Sequence, residues 1–397
     1  MADFLQRCVF AVKAKFDAAD FLILFLCLQH CKMTIREIVS FLETIAPPSL
    51  QEGYDNAGLL TGNGDWPCTG VVCALDATAE VIEEAIQKGA NCVVAHHPII
   101  FGGIKQISAH QYVGRALIAA IKHDIAIYAI HTNLDNILSG VNGKMADLLA
   151  LENRQVLLPK AGQLMKLFCF VPHPHLEKLR SALFAAGAGQ LGQYSECCFV
   201  TEGTGSFKPG ESAKPFVGEI GKRHEEKESR LEVIFPTHLK SAVLKAMYEN
   251  HPYEEVAFDL VALANDHPAL GSGLVGDLPA KMDAKDFLAL VKTRFSLPVI
   301  RHTPLLADPI SRVALCGGAG SFLISKALNA GAQAFITADL KYHEFFDCQG
   351  RMLIADIGHY ESEQFTIDLL QQVLQQKFRN FAVLKTGVRT NPITYYF

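Results

Sequence analysis

Two adjacent histidines and a proline, His96-His97-Pro98, follow a short apolar run from Cys92 to Ala95. Such a run reads as a buried strand, and open α/β sheets keep their ligands at the carboxyl edge. Successive strand side chains point to opposite faces. The two imidazoles therefore converge only if the chain turns there, and Pro98 with Gly102-Gly103 supplies a turn. A second run, Ile125 to Ile130, ends in His131-Thr132-Asn133-Leu134-Asp135, and a third ends in Asp356-Ile357-Gly358-His359-Tyr360-Glu361-Ser362-Glu363. If a helix begins near Tyr360, His359 and Glu363 lie about one turn apart and face one site. His131 with Asp135 and Asp339 with His343 repeat that spacing, which suggests an internal pseudo-symmetry.

Imidazole nitrogens and carboxylate oxygens suit zinc, iron or manganese, and one carboxylate can bridge two ions. Three histidines and two acids could thus hold a dinuclear centre. The competing reading makes these residues helix caps and hydrogen-bonding groups. No HExxH, Walker A or Rossmann GxGxxG motif offers another chemistry. Cys316-Gly317-Gly318-Ala319-Gly320 has the glycine content of a phosphate-cradling turn without its spacing, and tight packing explains it equally.

The elements that must position these residues alternate. Val71 to Leu75 is apolar, Thr78 to Lys88 has helical spacing, and Cys92 to Ala95 is apolar again. A helix over Tyr112 to Lys122 leads to Ile125 to Ile130. Val313 to Cys316, Phe335 to Thr337 and Leu353 to Ala355 repeat the pattern, followed by a helix from Ser362 to about Lys377 and a strand at Phe381 to Leu384. Strand-helix alternation predicts an α/β core in two halves, residues 33–164 and 265–397, with mostly parallel sheets covered by helices. Residues 165–264 read as an inserted α+β domain, close to the ferredoxin-like arrangement. Its strands are expected at Met165 to Val171, Glu196 to Val200, Phe216 to Ile220, Arg230 to Phe235 and Glu255 to Leu263. Its helices are expected at Pro174 to Ala186 and Leu239 to Asn250. Glu202 to Pro215 is its expected loop, and Lys222 to Glu228, mixed in charge, a solvated hairpin face.

Composition sets outer limits. The 397 residues are 50% hydrophobic and 19% charged, with 36 Lys+Arg against 41 Asp+Glu. No basic run supplies the positive footprint that a nucleic-acid backbone requires. Eleven cysteines without a CxxC fit neither a disulfide framework nor a zinc ribbon, which points to a reducing, cytoplasmic setting. The longest apolar run, Phe21 to Leu28, is too short to span a bilayer. Asp17 and Asp20 interrupt that region, so residues 1–32 read as an extension or a misassigned start rather than a signal peptide. No membrane partner is expected.

Seven segments together resemble the NIF-three-like family, the GTP cyclohydrolase 1 type 2 homologues. They are Tyr54 to Leu60, His96 to Pro98, His131 to Asp135, His251-Pro252-Tyr253-Glu254-Glu255, Cys316 to Gly320, Thr337 to His343 and Gly358 to Glu363. The resemblance covers residues 33–397, with Ala57 where valine is common. It implies two divalent transition-metal ions per chain, zinc or iron with manganese as a third candidate, on His96, His97, Asp135, His359 and Glu363, with Glu363 bridging. His131, Asp339 and His343 would support the ligands or face substrate. It also implies a toroidal homohexamer and a role for the insert in access. The implied activity is a metal-dependent hydrolase acting on a nucleotide-like molecule. Under the family label it would open the guanine imidazole ring of GTP with formate release, His131 or His343 carrying a proton and Lys341 contacting an anion. A nucleotide phosphohydrolase and a non-enzymatic metal-binding regulatory or scaffold protein are the alternatives.

Overall fold

The computed structural model describes residues 33–396, so the expected extension over residues 1–32 lies outside the described residues. The chain forms two compact units. Among the described residues, one comprises 33–45, Tyr54–His131 and Ile367–Ile393, and the other Ala46–Gly53, Thr132–Thr366 and 394–396.

The first unit opens with α1 (Ile35–Ile45), whose Ile35, Ile38 and Leu42 recur at helical spacing and are buried. Thr34 and Glu37 start it with a reciprocal cap, the Glu37 amide donating to the Thr34 hydroxyl and the Thr34 amide to the Glu37 carboxylate. The sheet contains β1 (Gly58–Thr61), β2 (Val71–Asp76), β3 (Cys92–His97), β4 (Ala126–Ala129) and β15 (Val383–Lys385), in the order β1-β4-β3-β2-β15. Only β1 pairs antiparallel. Val71 to Leu75 and Cys92 to His96 are buried without alternation, as expected of parallel strands covered on both faces. The crossovers run through α2 (Ala79–Gln87) and α3 (Tyr112–Lys122), and α11 (Thr366–Lys377) leads into β15. Parallel register aligns the carboxyl ends, with Asp76 opposite His97 and Ala95 opposite Ala129.

The second unit holds a six-stranded sheet, β11-β14-β13-β12-β10-β5, made from β5 (Glu152–Pro159), β10 (Gly271–Met282), β11 (Arg301–His302), β12 (Ile310–Ala319), β13 (Ala334–Ala338) and β14 (Leu353–Asp356). Its centre, β12-β13-β14, is parallel, and the flanking strands pair antiparallel. Around it lie α4 (Thr132–Asp135), α5 (Val141–Leu148), α8 (Ala284–Arg294), α9 (Ile324–Asn329), α10 (His359–Glu363) and a 3-10 segment, Tyr342–Cys348.

Residues 164–262 build a separate antiparallel sheet in the same unit, from β6 (Leu164–Pro172), β7 (Cys198–Phe207), β8 (His224–Pro236) and β9 (Phe258–Ala262), ordered β7-β8-β6-β9. With α6 (Leu176–Ala185) and α7 (Lys240–Asn250) the succession is βαββαβ. Three local expectations change. Phe216 to Ile220 is irregular, because the ladder it was assigned to is supplied by long arms running to Phe207 and from His224. The loop expected from Glu202 begins only after Phe207, because Glu202 to Phe207 belong to β7, and the charged run lies on the β7–β8 hairpin, where Ser206 faces Glu225 and Thr204 faces Lys227 across the ladder. The helix expected from Ser362 is two helices, α10 and α11, with the break between Glu363 and Thr366. Among the described residues, no helix is long and apolar enough to cross a membrane.

Candidate metal-binding residues

In the first unit, His96 and His97 are the last two residues of β3 and His131 follows β4. The strand continues through both histidines before Pro98 ends it, so no turn is needed between them. Long side chains at a strand end lean along its direction, and the rings of His96 and His97 have centroids 4.9 Å apart. His131 stands 5.2 and 5.4 Å from them. One ligand atom from each of the three residues lies within 4.8 Å of the other two.

Each ring is oriented through Nδ1. In His96 it meets the Ile130 carbonyl at 2.8 Å, in His97 the Asp76 carboxylate at 2.8 Å, and in His131 the Asp55 carboxylate at 2.8 Å. An acceptor at Nδ1 fixes the proton there and makes Nε2 the electron-pair donor, as in metal-ligating histidines. Asp76 would be raised by burial, but hydrogen bonds from His97 and Thr390 outweigh that and hold it below the usual carboxylate range.

In the second unit, α10 places His359 and Glu363 one turn apart, with His359 Nε2 3.1 Å from Glu363 Oε2. His359 Nδ1 is held by Asp339 at 2.6 Å. Asp339 follows β13 with φ of 57°, a left-handed conformation that aspartate tolerates better than most residues. Burial pulls the His359 imidazole down, but the Glu363 and Asp339 carboxylates push it up to about 11. The helix is tied to β12 by Ser362, whose hydroxyl accepts from the Gly318 amide at 3.0 Å and donates to the His359 carbonyl at 2.8 Å. Gly318 has φ of 60°, and a Cβ there would stand 2.6 Å from Glu363 Oε1. The glycines at Cys316 to Gly320 thus permit close approach of strand and carboxylate. Asp135 ends α4, and its carbonyl accepts from Asn142, which in turn accepts from the Gly317 amide. Burial, with Asp135 and Glu363, raises the Cys316 thiol.

His131 is oriented by Asp55, and Asp339 in turn holds His359. His343 is exposed, its ring 5.1 Å from that of Tyr342, and Lys341 is exposed with its amide bonded to Glu344. Asp76 had no role assigned from the sequence. It is the parallel register of β2 and β3 that sets it opposite His97.

A family model described as Duf34/NIF3 (NGG1p interacting factor 3) matches residues 33–392. The chain belongs to the Duf34/NIF3 family. It is 40% identical over 365 residues to a GTP cyclohydrolase 1 type 2 homolog of Halalkalibacterium halodurans, covering 91% of this chain and 98% of that one. To the homolog of the same name in Bacillus subtilis it is 39% identical, with the same coverage. Among solved structures it is similar to a Bacillus cereus protein related to NIF3, with a TM-score of 0.82 at 38% identity over 91% of this chain and 99% of that one. Histidine and glutamate groups of this Duf34/NIF3 chain could hold a metal ion.

Proposed function

We propose that the chain is a metal-dependent hydrolase that binds two divalent transition-metal ions, zinc or iron before manganese. The ligands we assign are His96, His97, Asp135, His359 and Glu363, with Glu363 as the bridge. The supporting observation is uniform: His96, His97 and His359 each have Nδ1 anchored at 2.6 to 2.8 Å by a carbonyl or carboxylate. That donor chemistry fits a divalent ion. When bound, such an ion supplies a Lewis acid that activates water at neutral pH.

The chain's own residues then have separate tasks. Asp76 and Asp339 hold the imidazoles in orientation. His131, its Nδ1 occupied by Asp55, can take a proton at Nε2. His343 is the other proton carrier and Lys341 the anion contact. The name of the relatives directs the substrate assignment to a nucleotide, GTP first, with ring opening and formate release. The assembly we assign is a homohexamer, tested by a light-scattering mass of six chains.

The deciding experiment incubates metal-loaded protein with GTP and other nucleotides and assays formate and phosphate. GTP-dependent formate that disappears in a folded Glu363→Ala variant is expected. Phosphate without formate would replace ring opening by phosphoester hydrolysis. Neither product with zinc, iron or manganese would overturn the hydrolase assignment.

A further inference from the structure

The second unit contains a groove of about 740 Å³ that the assigned metal ligands do not use. Its size lies within the range of small-molecule sites. One wall is the 3-10 segment, which places Tyr342, Phe345 and Phe346 within five residues, and the other is β11 with the residues after it, including Leu305. Tyr342 is 73% exposed and Phe346 63% exposed. Their rings meet edge to face, 5.5 Å apart at 72°, so they offer flat apolar surface to solvent. The guanidinium of Arg301 lies 5.2 Å from the Phe345 ring centroid. It donates to the Leu340 carbonyl at 2.6 Å and stands 3.5 Å from Asp356, contacts that fix its plane. Among the described residues, Arg301 is in the lining and no carboxylate is.

We propose that this groove binds a planar heteroaromatic ring of the nucleobase class, stacked on the Phe346 ring and met edge-on by the Tyr342 ring, with an acceptor edge toward Arg301. Each part of the lining selects for that chemistry. Exposed aromatic rings stack on the π-face of a flat ligand. A guanidinium held over a ring supplies N–H donors in a fixed plane. The lack of a carboxylate in the lining disfavours cations, and the single guanidinium gives an acidic peptide one partner only. Ring binding here involves no metal, so the inference stands apart from the hydrolytic assignment.

The test uses full-length protein, as purified and again after a chelator, titrated with adenosine and, as control, ribose. Saturable binding of adenosine in both states, with none for ribose, is expected. Phe346→Leu keeps apolar bulk but removes the flat ring, and it should weaken adenosine binding about tenfold or more. Phe346→Trp should restore it. The inference is overturned if adenosine fails to saturate, or if Phe346→Leu leaves its affinity unchanged. It is equally overturned if Phe346→Leu dissociates an oligomer that binds no adenosine, which would assign the groove to a second copy of this chain. Adenosine binding that persists while metal-loaded protein yields neither formate nor phosphate would sink the hydrolase and leave the groove intact.

Discussion

At the scale of single residues, the arrangement depends on what holds each imidazole. His97 is turned by Asp76, 21 positions earlier in the chain, at 2.8 Å. Asp76→Asn keeps the size but offers an amide that can present either donor or acceptor, so the His97 tautomer is no longer fixed. Loss of such a supporting partner weakens metal binding by about 10- to 100-fold. That is the expected outcome of a competition titration with a chromophoric chelator, with circular dichroism unchanged, and undiminished affinity would contradict the ligand role of His97. The His359–Glu363 pair was legible in the sequence because i and i+4 on a helix need no tertiary information. Asp76 with His97 and Asp55 with His131 were not, because both depend on the strand register and chain path that bring distant positions side by side.

Elements impose their own constraints. The carboxyl end of β12 approaches α10 so closely that Gly318 is both left-handed and without room for a Cβ. Gly318→Ala should cost about 1–2 kcal/mol from the backbone alone, and it must also move the Glu363 carboxylate. Reduced metal stoichiometry together with a lowered melting temperature is expected, and an unchanged Glu363 position in a crystal structure of the variant would refute the argument. The glycine run was visible in the sequence, but whether it cradled an anion or admitted a neighbour depended on what packed above it. Glycines also concealed β10, where Gly271, Gly273 and Gly276 interrupt the apolar pattern. A second element-scale prediction concerns the end of α7. Burial holds His251 below its ordinary value. Its neutral ring is fully used, Nε2–H donating to the Phe170 carbonyl at 2.9 Å and Nδ1 accepting from the Tyr253 amide at 3.1 Å. An unfolded histidine takes up its proton near pH 6.5, whereas the folded ring resists it. The unfolded state therefore binds more protons as pH falls below about 6.5, and this contribution to stability, complete above that pH, is lost on acidification through the folded-state value. NMR titration should find His251 below 6.5, and a value at or above it would remove the basis for this pH dependence.

The whole molecule has more than one core. In the second unit the cluster containing Leu167, Leu179, Phe235, Val243 and Met247 belongs entirely to residues 164–262. The six-stranded sheet packs its own clusters around Phe287 and Val313 on one side and Phe335 and Leu323 on the other. A segment of that length can bury enough apolar surface to be stable by itself, and separate cores break the two-state approximation. Phe235 is completely buried in the first of these clusters. Phe235→Ala removes a ring from a packed interior at a cost of about 3–5 kcal/mol. For a domain of this size that lowers the midpoint of its own transition by more than about 10 °C. Because no residue of the cluster is shared with the sheet around Phe287, the remaining transition should stay where it is in the unmodified protein. Differential scanning calorimetry reads both at once: two components, one displaced, are expected, whereas a single transition shifting as a whole would show that residues 164–262 unfold only together with the sheet they interrupt.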